Sequence, residues 1–423
     1  MIITKMIMTY DERRTEALRL TQEKQENVIR DKLRVMLRNA PNVPKNAKLP
    51  EVSILPTPHT SVPEEPSMSG FDLETYFHCE DFDKPMPCEL IKETHAATVS
   101  RYYFDLKSVR KHWKNRKDYF EALDREFKEN IGIVTDRDKL GEKGHFAVEV
   151  VRKQSQRKRV HFKDAVEKAF ASGSKPFDFI VGEDLENNIV TSNLKKAKSM
   201  LVAGTSGSGK SKWIKSMLAS LMMSTSPDDL QIHLADFKGN ELNAFEEAPH
   251  VRLNMITCAD DLLTLIESQI MLMNARYDEM REHGLVDVAP HMTRQLIVIE
   301  EMAECVMSIP EKDRNKKLFE PLARILQKGR AAGFHVIIAT QKPTIDIIGK
   351  QVNPNIQTRI GLKTASGNES KIVIDETGLE KLGGYGDMLA RIDGNPSLQR
   401  MQSPFIENTD IKEIVEYWNG QTA

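Results

Sequence analysis

The sequence predicts an α/β fold built on a parallel sheet with helices on both faces. Three observations carry that prediction. Apolar runs of strand length recur at Met200–Ala203, at residues 296–299 and at residues 335–340. Stretches with helical apolar spacing fall between and around them, at residues 213–223, 259–283 and 315–332. The first run leads straight into Gly204-Thr-Ser-Gly-Ser-Gly-Lys-Ser211, a glycine-rich segment that opens a helix. Strands apolar on both sides, alternating with helices, belong in a sheet covered on both faces. Ligands of such sheets sit at the carboxyl ends of the strands.

The glycine-rich segment fits G-x-x-x-x-G-K-[ST], the pattern of a phosphate-binding loop. Its candidate ligand-binding residues are Gly204, Thr205, Ser206, Gly207, Ser208, Gly209, Lys210 and Ser211. Glycines let successive backbone N–H groups wrap around phosphate oxygens, and the following helix N-terminus adds a favourable field. Lys210 is placed to bridge the β- and γ-phosphates, and the Ser211 hydroxyl to hold Mg²⁺. A nucleoside triphosphate with Mg²⁺ is therefore expected here.

The next strands bring acids and an amide to the same edge. Leu296-Ile-Val-Ile-Glu-Glu301 is an apolar strand ending in two carboxylates, of which Glu300 is assigned to the metal and Glu301 to the attacking water. Adjacent residues of a strand point to opposite sides, so the two cannot share one task. His335-Val-Ile-Ile-Ala-Thr-Gln341 ends in Gln341, which could hydrogen-bond the γ-phosphate or the water. Arg330 and Arg359 are each able to stabilise charge on a neighbour's phosphoryl group, a role that needs a ring or dimer. An arginine near a strand is more often a surface ion-pair partner.

Ahead of this core the chain divides by composition. Residues 11–38 alternate charge and hydrophobe and read as charged helix, and seven prolines between Pro41 and Pro66 read as an extended linker. From Phe71 a small α/β region begins, with strands expected at residues 97–106 and 145–151 and a helix at residues 119–128. The expected division is residues 1–70, 71–171 and 172–423. Basic runs at residues 107–117 and 152–163 are of a kind that usually forms a solvated face.

Composition sets outer bounds. Hydrophobic content of 40% with 29% charged residues describes a globular chain that can build cores. A net charge of −2 excludes a globally basic nucleic-acid coat but leaves local patches open. Four cysteines (Cys79, Cys88, Cys258, Cys305) are too sparse for a disulfide framework and suit a reducing compartment. His78, Cys79 and Cys88 fit no zinc spacing. No stretch approaches the roughly 18 apolar residues of a membrane helix, and no signal core opens the chain. A cytoplasmic location is expected, with a membrane-anchored or DNA-processing partner able to engage residues 1–70.

Taken together, the motifs resemble those of the FtsK/SpoIIIE family of DNA translocases. The likeness rests on the phosphate loop, Asp236-Phe-Lys-Gly-Asn-Glu-Leu242 with Ala248-Pro-His250, and Arg276-Tyr277. It continues through Ile299-Glu-Glu-Met-Ala303, Lys328-Gly-Arg-Ala-Ala-Gly-Phe-His335 and Ala339-Thr-Gln-Lys-Pro343. Asn355-Ile-Gln-Thr-Arg-Ile360 and Leu382-Gly-Gly-Tyr-Gly-Asp-Met-Leu389 complete it, in an order that agrees over residues 97–406. The resemblance implies a RecA-like P-loop ATPase core using ATP and Mg²⁺, preceded by a small α/β domain and a disordered or helical N-terminal segment. It implies a homo-oligomer, a hexameric ring, that passes DNA through a central channel. It makes Arg359 the preferred residue for acting across a subunit boundary. Lys371, Arg400 and, more weakly, Arg391 fall where the family's loops touch DNA, through phosphates rather than base edges.

Three departures qualify the resemblance. Glu300 stands where the family usually has aspartate. Neither membrane helices in front nor a winged-helix domain behind is present in this sequence, which ends soon after Trp418. DNA movement for a conjugative or other mobile element is favoured over directional chromosome pumping. The alternatives are a protein-pumping ATPase of the type VII secretion kind and a nucleotide-dependent scaffold of a DNA transfer complex.

Overall fold

The computed structural model describes residues 90–105, 131–134, 145–152, 157–171, 173–289, 291–395 and 397–422. The expected helix at 11–38, the proline-rich linker, His78, Cys79, Cys88, the basic run at 107–117 and the helix at 119–128 lie outside them.

The first described strands form a small antiparallel sheet. They are β1 (Leu90–His95), β2 (Val99–Asp105), β3 (Ile131–Val134) and β4 (His145–Val151), in the order β1-β2-β4-β3. Tyr102, Phe104, Ala147, Val148 and Val150 are buried within it.

Helix α1 (Phe162–Phe170) then leads to the large sheet. Its strands are β5 (Asp178–Asp184), β6 (Ile189–Asn193), β7 (Met200–Ala203), β8 (Leu230–Asp236), β9 (Arg294–Glu300), β10 (Phe334–Thr340), β11 (Thr358–Leu362), β12 (Asp387–Arg391) and β13 (Gln399–Gln402). The order is β6-β5-β13-β12-β11-β7-β10-β9-β8. The run β11-β7-β10-β9-β8 is parallel throughout. Every pairing from β11 outward to β6 is antiparallel. The expected parallel sheet is thus the working half of a mixed one. The antiparallel half escapes a pattern argument because β12 and β13 are short and half polar.

Helices cover both faces, as continuous apolar strands require. The longer ones after α1 are α2 (Lys210–Ser224), α3 (Ala259–Glu282), α4 (Met302–Ser308), α5 (Glu320–Lys328), α6 (Gly367–Ile374) and α7 (Asn408–Thr422). Along β9, Leu296 and Val298 join one core with α1, α2 and α7, while Ile297 and Ile299 join the other with α3, α4, α5 and α6. That is the period of two expected of a strand. Trp213 on α2 is fully buried, and its indole N–H donates to the Val181 carbonyl at 2.8 Å. Truncating such a ring to alanine costs about 3–5 kcal/mol.

The expected helix at 315–332 is a continuous helical stretch over residues 311–328, which starts earlier and ends four residues sooner. A single π-helical turn at Asn315–Phe319 precedes α5, whose first turn carries Pro321. The π turn runs into α5 without a break, and Pro321, which has no N–H to donate, sits where the regular i→i−4 ladder is already interrupted. Among the described residues no helix is long and apolar enough to cross a membrane.

Candidate nucleotide site at the carboxyl edge of the parallel strands

The ends of β7, β8, β9 and β10 lie side by side, and each supplies one part of the site. After Ala203 the chain turns through the glycine-rich loop. Its start is pinned by Gly204 N–H to the Thr340 carbonyl at 3.3 Å, and by Thr205 N–H to the Lys363 carbonyl at 2.8 Å. Gly209, the residue before α2, has φ +105°, and a Cβ there would meet Gly386 N at 2.6 Å. Only glycine suits that position.

Lys210 Nζ lies 2.5 Å from Glu300 Oε1, and the Ser211 hydroxyl donates to the same oxygen at 3.3 Å. Both partners of the ion pair are buried, with 3% and 2% of their side chains exposed. Burial pushes the Glu300 carboxyl above its usual range, and Lys210 opposes that shift. The second oxygen, Oε2, is buried without a hydrogen-bond partner. One hydroxyl beside one carboxylate with a spare oxygen fits Mg²⁺, which takes one or two protein oxygens and completes its shell with phosphate and water.

Glu301 is directed elsewhere, though not by strand alternation, since β9 ends at Glu300. It leaves the strand in the left-handed region with φ 61°, and α4 follows directly. Its Oε1 accepts from the Thr340 hydroxyl at 3.2 Å and the Gln341 N–H at 3.1 Å, and its Oε2 lies 3.3 Å from Lys238 Nζ. Lys238 belongs to the loop after β8. The buried Asp236 carboxylate shapes that loop by accepting the N–H groups of Lys238, Gly239, Glu241 and Leu242. Gln341 is half-buried and lines the same 610 Å³ cavity as Lys210 and Ser211.

Two features of the site are not apparent from the motifs alone. Lys238 stands in the sequence as one letter of the Asp236-Phe-Lys-Gly segment, with nothing to indicate its partner. The turn at 383–386 proves to be a wall of the phosphate loop: Gly386 N–H donates to the Ser208 carbonyl at 2.7 Å and Tyr385 N–H to the Gly207 carbonyl at 3.4 Å. Glycines around a tyrosine signal a turn, but not what it leans on.

The arginines fall in different places from those expected. Arg400, expected on a DNA path, has only 7% of its side chain exposed. Its guanidinium donates to both carboxylate oxygens of Asp387, at 3.0 and 2.7 Å, and to Glu149 Oε2 at 2.7 Å. Glu149 in turn accepts from Arg101 Nε at 3.0 Å. Burial opposes the charge on Arg400, but Asp387 and Glu149 outweigh it and raise its pKa. Two buried acids thus neutralise this cation. Arg391 is also engaged, by Asp375 Oδ2 at 2.6 Å and the Ile374 carbonyl at 3.0 Å. Arg359 points inward, donating to the carbonyls of Asn353, Ile372 and Val373 and to Asn353 Oδ1, and burial lowers its pKa. Arg330 and Lys371 are exposed.

Residues 163–297 match the FtsK/SpoIIIE family. The chain is 30% identical over 294 residues to the DNA translocase FtsK of Helicobacter pylori strain J99, covering 66% of this chain and 34% of that protein. It is 32% identical over 265 residues to the DNA translocase SftA of Bacillus subtilis, covering 60% of this chain and 27% of SftA. The chain thus spans about a third of these relatives' length. Among solved structures it is similar in fold to the monomer form, with ATPgS, of the pCW3 conjugation coupling protein TcpA. That match has a TM-score of 0.55 and 19% identity, and covers 82% of this chain and 97% of the other. EssC from Geobacillus thermodenitrificans (ATPases 2 and 3) matches with a TM-score of 0.50 and 15% identity, over 58% of this chain and 50% of its own. The chain therefore carries an FtsK/SpoIIIE family domain and is a homologue of the FtsK and SftA translocases.

Proposed function

We propose that this protein is an ATPase that moves DNA, acting as a homo-oligomeric ring, a hexamer, with DNA in its channel. The observation that carries the reading is the convergence of Lys210 and Ser211 on one oxygen of Glu300 while the other oxygen stays unpartnered beside them. Such a group is built for a phosphate with its cation. Homology to the DNA translocases FtsK and SftA supports DNA as the substrate.

In this reading Lys210 exchanges Glu300 for the β- and γ-phosphate oxygens, and the N–H groups of residues 205–211 hold the phosphates in place. Mg²⁺ held by Ser211 and Glu300 would neutralise charge on the transferring group. Glu301 accepts the proton of the attacking water, with Gln341 beside it to orient that water. Lys238 fixes the Glu301 carboxylate. A guanidinium from the next subunit completes the charge balance. Arg330 is exposed for that task, whereas Arg359 would first have to leave four acceptors. Lys371 faces solvent on α6 and would touch DNA phosphates.

The proposed setting is DNA transfer for a conjugative or other mobile element, the kind of setting in which the conjugation coupling protein TcpA works. Residues 1–70 are proposed to engage a partner at the membrane or on the DNA.

The test is ATP hydrolysis with and without duplex and single-stranded DNA across a salt series. Stimulation by DNA that fades as salt rises supports the motor, because phosphate contacts release counterions. Hydrolysis indifferent to DNA at every salt concentration overturns it. Sedimentation with nucleotide and DNA both supplied tests the ring, and a persistent single subunit overturns that part.

A further inference from the structure

We propose that Tyr385 is a stacking platform for the nucleobase of the bound nucleoside triphosphate. The inference rests on the nucleotide site described above and adds a recognition element to it. The cavity beside the phosphate loop has two unlike sides. One carries Gln341 and Glu241, near the acids that would handle the terminal phosphate. The other is formed by residues 157–160, 385–386 and 402–405, and it contains no carboxylate. A triphosphate laid along residues 207–211 with its terminal group toward Gln341 places the sugar and base against that second side.

Two aromatic rings line this side. Phe405 is already engaged, with the Arg159 guanidinium 4.8 Å and Lys212 Nζ 4.7 Å from its centroid. Tyr385 is 63% exposed, and among the described residues its ring has no stacking or cation–π partner. Its backbone is left-handed, with φ 54°, between Gly384 at +73° and Gly386 at +95°. A bulky residue seldom adopts that region, and its persistence at a ligand cavity points to function.

The turn is also held rigidly. Gly386 N–H is bonded to the Ser208 carbonyl and Tyr385 N–H to the Gly207 carbonyl. Gln402 Nε2 donates to the Tyr385 carbonyl at 2.8 Å. Arg157 donates to the Gly383 carbonyl at 2.7 Å. An exposed aromatic ring on a backbone fixed to the phosphate loop presents a flat face at a set distance from the phosphates. Stacking on such a face accepts any base, because every base has a π-face.

The experiment compares the affinity of full-length protein for ATP and for inorganic tripolyphosphate, each with Mg²⁺, in wild type, Tyr385→Phe and Tyr385→Asn. Asparagine tolerates the left-handed backbone, so Tyr385→Asn separates the ring from the fold. The expected result is about a tenfold loss of ATP affinity in Tyr385→Asn, with tripolyphosphate affinity unchanged and Tyr385→Phe near wild type. Equal ATP affinity in wild type and Tyr385→Asn overturns the stacking role and leaves the nucleotide site standing. Equal losses for ATP and tripolyphosphate also overturn it, since the ring would then support the loop rather than the base. A wild-type protein that binds neither probe overturns the site itself.

Discussion

Lys210 and Glu300 form an ion pair of 2.5 Å inside the protein, where neither side chain reaches solvent appreciably. A buried pair is a weak source of stability while intact, but removing one partner strands the other charge, at a cost of about 3–5 kcal/mol. Lys210→Ala should therefore both abolish nucleotide binding and lower the melting temperature. Adding Glu300→Gln to it should restore most of the stability and none of the binding. Thermal melts alongside titration with a fluorescent ATP analogue check both parts. A double variant as unstable as Lys210→Ala would show that the charge is not the cause.

Glu301 makes three contacts through two oxygens, with Thr340, Gln341 and Lys238, and all three fix its buried carboxylate at the carboxyl edge of the strands. Glu301→Gln keeps the shape and removes the base. It should bind ATP with nearly unchanged affinity and hydrolyse it about 10²–10⁴-fold more slowly. Single-turnover hydrolysis with pre-bound ATP measures the step directly. Normal turnover would move water activation to another residue.

Arg400 and Lys371 should separate cleanly. Arg400→Ala leaves Asp387 and Glu149 buried without their shared cation, so about 3–5 kcal/mol of stability should go. Any DNA defect of that variant should follow the loss of folded protein. Lys371→Ala removes an exposed side chain and should leave the melting temperature within about 1 °C, since surface changes stay within ~0.5 kcal/mol. Its expected effect is weaker DNA stimulation of hydrolysis with a shallower salt slope. Unchanged stimulation and slope would remove Lys371 from the DNA path.

What is legible in the sequence follows from what each signal encodes. Apolar strands covered on both faces announce themselves through composition, so β7, β9 and β10 are readable to within a residue or two. The phosphate loop is readable because its glycines and Lys210 are local in sequence. The acids are readable as a pair at a strand end, but what separates them is the left-handed turn at Glu301, which strand alternation does not foresee. Arg400 is not readable, because its partners lie 13 and 251 residues away. An exposed cation on a DNA path and a buried cation between acids look alike in a sequence, and only the fold brings Glu149 of the small sheet to Asp387. The wall formed by residues 383–386 is hidden for the same reason, its contacts including Arg157, Gly207, Ser208 and Gln402.

Two buried histidines couple the stability of the protein to acid pH. Burial lowers the imidazoles of His250 and His335 to about 4 each. His250 Nε2 bonds the Thr225 carbonyl and His335 Nδ1 the Lys198 carbonyl, both at 2.8 Å, while the other ring nitrogen of each is buried without a partner. A second proton would put an N–H where nothing accepts it. In the unfolded chain both rings protonate near pH 6.5, so between about 6.5 and 4 the unfolded state takes up protons that the folded state refuses. The contribution of these two rings to stability is therefore complete above pH 6.5 and falls as the pH drops through that window, by about 3 kcal/mol for each ring. His250→Gln can keep a donor to Thr225 and removes one titration, so its stability between pH 7.5 and 4.5 should fall less steeply than that of wild type. Urea unfolding at a series of pH values measures the slopes, and identical slopes would show that His250 carries none of this coupling.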